Sequence, residues 1–118
     1  MKLLYEIKYA FQRLFRGYDD RKSYDVYYEI AKFTLRHLKN FRKLKKVGYP
    51  MGLTMKKWNK ILDKMIYAFE RIANDDILVY QDKNGQYKTR SEKNIKNINS
   101  KIDEGLTLFV KYFQSLWD

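Results

Sequence analysis

Three carboxylates are the residues of this chain best suited to metal chemistry. Asp63 and Glu70 lie seven residues apart on one edge of a predicted helix, and Glu104 lies on the next predicted helix. Together they would form a hard-cation site of the kind that metal-dependent nucleases use to stabilise attacking and leaving oxygens. Carboxylates beside an apolar stripe usually pair with neighbouring cations, here Arg71 or Lys101. We expect that pairing, and we predict no metal site and no cofactor.

The remaining nucleophilic and basic side chains give no catalytic pattern. The chain has no cysteine, which excludes a thiol nucleophile and a cysteine-ligated zinc site. Its one histidine, His37, falls within an apolar stripe, where we expect a structural, hydrogen-bonded role. The serines and the five glycines form neither a nucleophile elbow nor a phosphate-binding loop. We therefore predict that the protein is not an enzyme.

Positive charge is concentrated in one segment. Between Glu29 and Asp63 the chain has ten Lys and Arg and no acidic residue, and this segment supplies most of the net charge of +11. Charge of this kind governs association more than fold. The predicted anion-binding or partner-binding residues are Lys32, Arg36, Lys39, Lys43, Lys45, Lys46, Tyr49, Lys56, Lys57 and Lys60.

The first cations of this segment have simple structural explanations. The strip from Lys32 to Lys43 repeats at helical spacing, so a solvated helix face accounts for it. Lys45 and Lys46 lie near the predicted end of the same helix, where the helix dipole favours cations.

Lys56 and Lys57 have no such explanation. They follow Thr54 in the first turn of the next predicted helix, where the dipole favours acids. The free amides of that turn and the connection over residues 48–52 therefore predict an anion site. Tyr49 at its tip would add stacking on a base or apolar contact.

Four helices must position these residues. The first has the apolar stripe Leu4, Ile7, Phe11, Leu14 and Tyr18 and should stop at Gly17, and the second is capped by Ser23 and ended by Gly48 and Pro50. The second has two apolar faces. Its main stripe is Val26, Ile30, Phe33, His37, Phe41 and Leu44, and Tyr24, Tyr28, Ala31 and Leu35 lie roughly opposite.

The second half of the chain has the clearer pattern. Thr54 caps a third helix with the stripe Trp58, Ile61, Leu62, Met65, Ile66, Phe69 and Ile72. A short β-hairpin is expected next, with its turn at Asp82-Lys83-Asn84-Gly85. A fourth helix runs from Ser91 to the C-terminus, with Gly105 in mid-helix, where a close neighbouring helix would explain it. The expected fold is all-α, a single domain over residues 1–118 built as a four-helix bundle with a possible hairpin between helices three and four.

Three blocks of the sequence resemble a family of small, mostly uncharacterised bacteriophage proteins. They are Phe11-Gln12-Arg13-Leu14-Phe15-Arg16-Gly17-Tyr18-Asp19-Asp20-Arg21, then Trp58 with Ile61 through Glu70, and then Glu104-Gly105-Leu106 with Phe109, Tyr112, Phe113 and Leu116-Trp117-Asp118. The resemblance implies a phage or prophage origin, and hence the cytoplasm of an infected bacterium. It implies no particular activity.

Three functions remain open on the sequence alone. The first is a non-enzymatic phage accessory protein that binds, and by binding inhibits, an acidic host or defence component, as an anti-CRISPR protein would. The alternative is sequence-independent nucleic-acid binding, and the third is a metal-dependent nuclease using Asp63, Glu70 and Glu104. No apolar run approaches the length of a membrane span, so no membrane partner is expected. A homodimer stays open, because the second apolar face and the aromatic C-terminus both offer a contact.

Overall fold

The computed structural model describes residues 26–44 and 48–116, and helix accounts for 69% of them. Their elements are α1 (Val26–Lys43), α2 (Met55–Asn74), β1 (Val79–Gln81), β2 (Tyr87–Thr89) and α3 (Glu92–Lys111), followed by a 3-10 turn, Phe113–Ser115. The chain divides into two units, residues 1–30 and 31–118, and the buried core described next lies in the second. The mostly helical class is confirmed. The predicted first helix and Ser23 lie outside the described residues, and the single domain stays a prediction.

Helix α2 is the centre of the core, as its apolar stripe predicts. The Thr54 hydroxyl accepts a hydrogen bond from the Lys57 backbone N–H at 3.2 Å, which confirms the predicted N-cap. Trp58, Leu62 and Met65 are almost completely buried. The helix ends at Asn74, and the C-cap residue Asp75 has a left-handed backbone (φ 50°) and donates its N–H to the Ile72 carbonyl.

The predicted hairpin is present between α2 and α3. Strands β1 and β2 are antiparallel, with Tyr80 opposite Lys88. Gly85 adopts φ +79° in the turn, a conformation that glycine reaches without steric cost. The Asp82 carboxylate accepts the backbone N–H groups of Gln86 and Asn84, both at 2.9 Å.

The same hydrogen bonds set the charge state of Asp82. Its pKa is held below the usual value of 3.8, chiefly by the Gln86 N–H. The Asn84 N–H and the Lys88 ammonium lower the pKa further, and partial desolvation opposes them. A two-stranded sheet is marginal alone. Here Arg90 anchors it, because its Nε donates to the Asp76 carbonyl at 3.0 Å and its guanidinium lies 4.3 Å from the Tyr80 ring centre.

Helix α3 packs closely along α2 but ends earlier than the sequence predicts. Its Ser91 cap is confirmed, since the Ser91 hydroxyl accepts the Asn94 N–H at 3.2 Å. The expected continuation to the C-terminus is wrong for the described residues, because the α-helix ends at Lys111. The ring of Tyr112 packs edge-on against Trp58, with centroids 5.5 Å apart, and the chain tightens into the 3-10 turn beyond it.

Helix α1 turns a different face to the core from the one its main stripe predicts. Ala31 and Leu38 are buried, and Leu35 packs against the same core, whereas Phe33 and His37 are exposed. In this orientation Lys39 and Arg42 both reach carboxylates of α2.

The predicted end of α1 is also wrong. The helix stops at Lys43 rather than near Gly48, and the Leu44 N–H is shared between the carbonyls of Asn40 and Phe41, a common arrangement at helix ends.

Candidate anion-binding surface

The cations of the predicted strip on α1 differ in burial and in contacts. Lys39 pairs with Glu70 of α2 at 3.2 Å, so it contributes to helix packing. Arg36 and Lys43 are exposed, and Lys32 is half-buried. Arg36 lies over the Phe33 ring, 5.9 Å from its centroid. Solvation and internal pairing thus account for much of this strip, as its helical spacing suggests.

The lysines at the start of α2 are all exposed. Lys56 and Lys57 occupy the first turn, which contains no acidic residue, and Lys60 follows one turn later. Within the described residues, neither these three lysines nor Lys43 forms an ion pair with a carboxylate. The charge of Lys56 and Lys57 is therefore uncompensated at a helix end whose dipole is already positive.

The connection before α2 adds apolar and aromatic surface next to these lysines. Tyr49 is 52% exposed and Met51 is fully exposed, and the Leu53 N–H bonds to the Pro50 carbonyl in the turn between them and the helix. The Thr54 hydroxyl is already used by the Lys57 amide, so it is a cap rather than a free ligand. Lys45 and Lys46, the other lysines predicted here, lie outside the described residues.

Each of the three candidate metal-binding carboxylates forms an ion pair. Asp63 accepts from Arg42 Nε at 2.8 Å, Glu70 from Arg71 at 2.8 Å and Glu104 from Lys64 Nζ at 2.5 Å.

The structure brings only two of these carboxylates to one depression. Asp63 and Glu104 line a shallow cavity of about 280 Å³ that also contains Lys64 and Lys101, and Glu70 is not part of its lining. Among the described residues, no group of three or more His, Asp and Glu is placed to hold a metal ion.

His37 is not in the core, which corrects the sequence-based expectation. It is exposed, and its ring lies 4.3 Å from that of Phe33, centre to centre, at an angle of 47°. It lines an apolar groove together with Phe109 of α3 and with Phe113 and Leu116 beyond that helix, and the lining of that groove contains no carboxylate to orient a general base.

Sequence reasoning did not anticipate the two ion pairs between α1 and α2. Arg42 lies 21 residues before Asp63 in the chain, and only the antiparallel packing of the helices brings them together. The spacing of Lys39 on its helix face likewise did not distinguish it from Lys43, which forms no ion pair with a carboxylate of the described residues. By contrast, the absence of acids around Lys56 and Lys57 was visible in the sequence.

In comparisons with known proteins, no family model, no curated protein and no solved structure matches the chain. Within residues 26–44 and 48–116, no helix combines the length and the apolar character that crossing a membrane requires.

Proposed function

We propose that this is a non-enzymatic phage accessory protein that binds, and by binding inhibits, an acidic host or defence component. The contact surface is the start of α2, where Lys56, Lys57 and Lys60 are exposed beside Tyr49. One observation carries the proposal: all three lysines are unpaired within the described chain, and Lys56 and Lys57 lie in the first turn of α2, where the helix itself disfavours cations. A fold selected for stability alone would favour acids there.

The other cations add to this surface unequally. Lys39 is bound to Glu70, so recruiting it would cost an existing ion pair. Arg36 and Lys43 are exposed and add to the positive field of the same segment. A cluster of one sign steers acidic partners towards itself and speeds their association.

The partner is an acidic protein or a nucleoprotein in the cytoplasm of an infected bacterium. This origin rests on the resemblance of three sequence blocks to phage proteins. The four-helix bundle and the homodimer predicted from the sequence remain part of the same proposal.

The alternative is direct, sequence-independent binding of nucleic acid. The exposed ring of Tyr49 favours it, because base stacking on an aromatic side chain contributes about 1–3 kcal/mol per base. Lysines at a helix N-terminus also suit a phosphate.

A pull-down from bacterial lysate, with and without nuclease digestion, tests the leading proposal. We expect an acidic protein to stay bound to the immobilised chain after all nucleic acid has been digested. Loss of every retained protein on digestion would contradict it. Mobility shifts with mixed-sequence DNA and RNA test the alternative, since the logarithm of the binding constant falls with log salt by about 0.9 per duplex phosphate neutralised. No shift at low salt would remove it.

A further inference from the structure

A polar cavity lies between the C-terminal end of α2 and the β-hairpin. Its volume is about 530 Å³, which is within the usual range of roughly 300–1,000 Å³ for small-molecule sites. Its lining includes Arg71, Asp75 and Asp76 at the end of α2, and Tyr87 of β2 with Arg90 just after that strand. None of the lysines at the start of α2 lines it. The cavity is therefore separate from the candidate anion-binding surface.

Two groups of opposite charge in this cavity form no ion pair. The Arg71 guanidinium and the Asp76 carboxylate neutralise each other at 2.7 Å. Arg90 donates its Nε to the Asp76 backbone carbonyl and lies over the Tyr80 ring, but it pairs with no carboxylate of the described residues. Asp75 has no ion pair among them either. The cavity thus offers a ligand one carboxylate and one guanidinium.

The carboxylate of Asp75 stands where the stability of the fold does not favour it. Its backbone is left-handed, with φ 50°, and it is the one residue other than glycine with a positive φ in the described chain. Glycine reaches this conformation without steric cost and is the usual residue at such a helix end. The helix dipole also disfavours an acid at the C-terminal end of α2. Because a glycine would suit the fold better, the carboxylate points to a function in the cavity.

Guanine is the nucleobase whose hydrogen-bonding groups match this pair of charges. Its N1–H and N2–H donors lie side by side, as the two oxygens of a carboxylate require. Its O6 and N7 acceptors lie on the adjacent edge, and an arginine binds both of them at once. Among the four bases of RNA, only guanine combines two such neighbouring donor groups with two neighbouring acceptors. The ring of Tyr87, a residue that is 77% exposed, is available for stacking on the base.

We infer that this cavity binds a guanine base, with Asp75 accepting from N1–H and N2–H and Arg90 donating to O6 and N7. The base belongs either to a free nucleotide or to a single-stranded nucleic acid, since both present the same edges. The inference goes beyond the function proposed above and does not depend on it, because the cavity and the lysines at the start of α2 share no residue.

The first test titrates the isotopically labelled full chain with nucleosides and follows its amide resonances by NMR. Guanosine should bind saturably and shift resonances within residues 71–90. Two analogues each remove one contact. Inosine lacks the N2 amino group that faces Asp75, and 7-deazaguanosine lacks the N7 acceptor that faces Arg90. Each should bind about tenfold more weakly than guanosine, as expected for the loss of a hydrogen bond to a charged group.

Variants of Asp75 separate binding from stability. Asp75→Gly should keep or raise the free energy of unfolding while it weakens guanosine binding by about tenfold or more, a combination that a merely structural carboxylate would not give. Asp75→Asn keeps the shape of the side chain and should weaken binding to a similar degree. The matched control is Asp103→Asn, since Asp103 is exposed and does not line the cavity. It should change affinity by less than about twofold, as expected for a residue outside the contact.

Several results would overturn the inference. They are no saturable binding of guanosine at millimolar concentration, equal affinity for guanosine and both analogues, or equal losses in Asp75→Asn and Asp103→Asn. A Lys56→Glu variant should bind guanosine with unchanged affinity, and a loss in that variant would contradict the assignment to this cavity.

Two further ligands distinguish the sources of the base. They are guanosine monophosphate and a short uridine oligonucleotide with one guanine, with the all-uridine strand as its control. Tighter binding of the guanine-containing strand than of the monophosphate would assign the base to a single-stranded nucleic acid. The reverse order would assign it to a free nucleotide. Equal binding of the two strands, together with no binding of the monophosphate, would contradict a guanine site.

Discussion

A β-carbon on Gly105 would lie 2.6 Å from the β-carbon of Ala68, so α2 and α3 approach each other at this point as closely as a glycine allows. The same β-carbon would lie 2.5 Å from the Lys64 backbone carbonyl oxygen, which cannot move without the helix. This contact explains a glycine in mid-helix, where its conformational freedom costs about 1 kcal/mol relative to alanine.

Gly105→Ala should therefore destabilise the protein although alanine is the better helix former. Overpacking a close contact costs about 1–3 kcal/mol, which exceeds the gain in helix propensity. Urea denaturation should show a lower free energy of unfolding. Gly48→Ala is the control, because a β-carbon there meets no atom within 4 Å, and its effect should stay within about 0.5 kcal/mol. Equal stability of Gly105→Ala and the parent would contradict the close approach.

Lys56→Glu should stabilise the fold while weakening partner binding. The substitution places an acid in the first turn of α2 and pairs it with Lys60 four residues on, and each change is favourable by a few tenths of a kcal/mol to about 1 kcal/mol. Lys56→Gln should have an intermediate effect in both assays. Denaturation at low salt and again at 1 M NaCl measures the electrostatic part, which screening should reduce. A loss of stability in the glutamate variant would show that Lys56 has a structural role.

Asp63→Asn should strengthen binding to an acidic partner. The Asp63 carboxylate pairs with Arg42 at 2.8 Å and reduces the positive charge of the face that α1 and α2 share. Both side chains are substantially exposed, so removing the pair should cost the fold less than about 1 kcal/mol. Binding titrations should give a higher affinity that falls more steeply with salt. Weaker binding would mean that Asp63 itself contacts the partner.

Asp82 should make hairpin stability depend on acid pH. Because its folded pKa lies below the unfolded value, its contribution is fully present above the unfolded value of about 4 and is lost as the pH falls through the folded pKa. The stability difference between the parent and Asp82→Ala should thus be constant near neutrality and shrink in acid. Carboxyl NMR titration measures the pKa directly. A value at or above 3.8 would contradict the hydrogen bonds from Gln86 and Asn84.

Local chemistry was enough to predict α2, the hairpin and both helix caps. Thr54 and Ser91 satisfy amides of their own first turns, and the turn ending in Gly85 needs only its own residues. The buried face of α2 was predicted correctly because the other faces of this helix are polar.

The orientation of α1 was not predictable in this way. Apolar residues lie on two sides of this helix, so the period shows two faces without showing which one is buried. The choice depends on packing against α2, which buries Ala31 and Leu38, a tertiary relationship with no local signal. The ion pairs of Lys39 and Arg42 with Glu70 and Asp63 accompany this packing. The same applies to the end of α3, where Tyr112 packs against Trp58 directly after the last helical residue. For the candidate site, the sequence predicted that Lys56 and Lys57 lack acidic neighbours in the first turn of α2. It did not predict the ion pair of Lys39.

The central claim is that the start of α2 binds the acidic partner. Its most direct test compares two triple charge-reversal variants for binding to the protein that the pull-down retains. One variant is Lys56→Glu, Lys57→Glu and Lys60→Glu. The matched control is Lys83→Glu, Lys93→Glu and Lys96→Glu, which changes net charge equally at exposed lysines elsewhere. At fixed ionic strength the first should weaken binding by about tenfold or more and the second by less than about threefold, since a local contact loses more than a change in overall field. Equal losses in the two variants, or no loss in the first, would show that the start of α2 is not the binding surface.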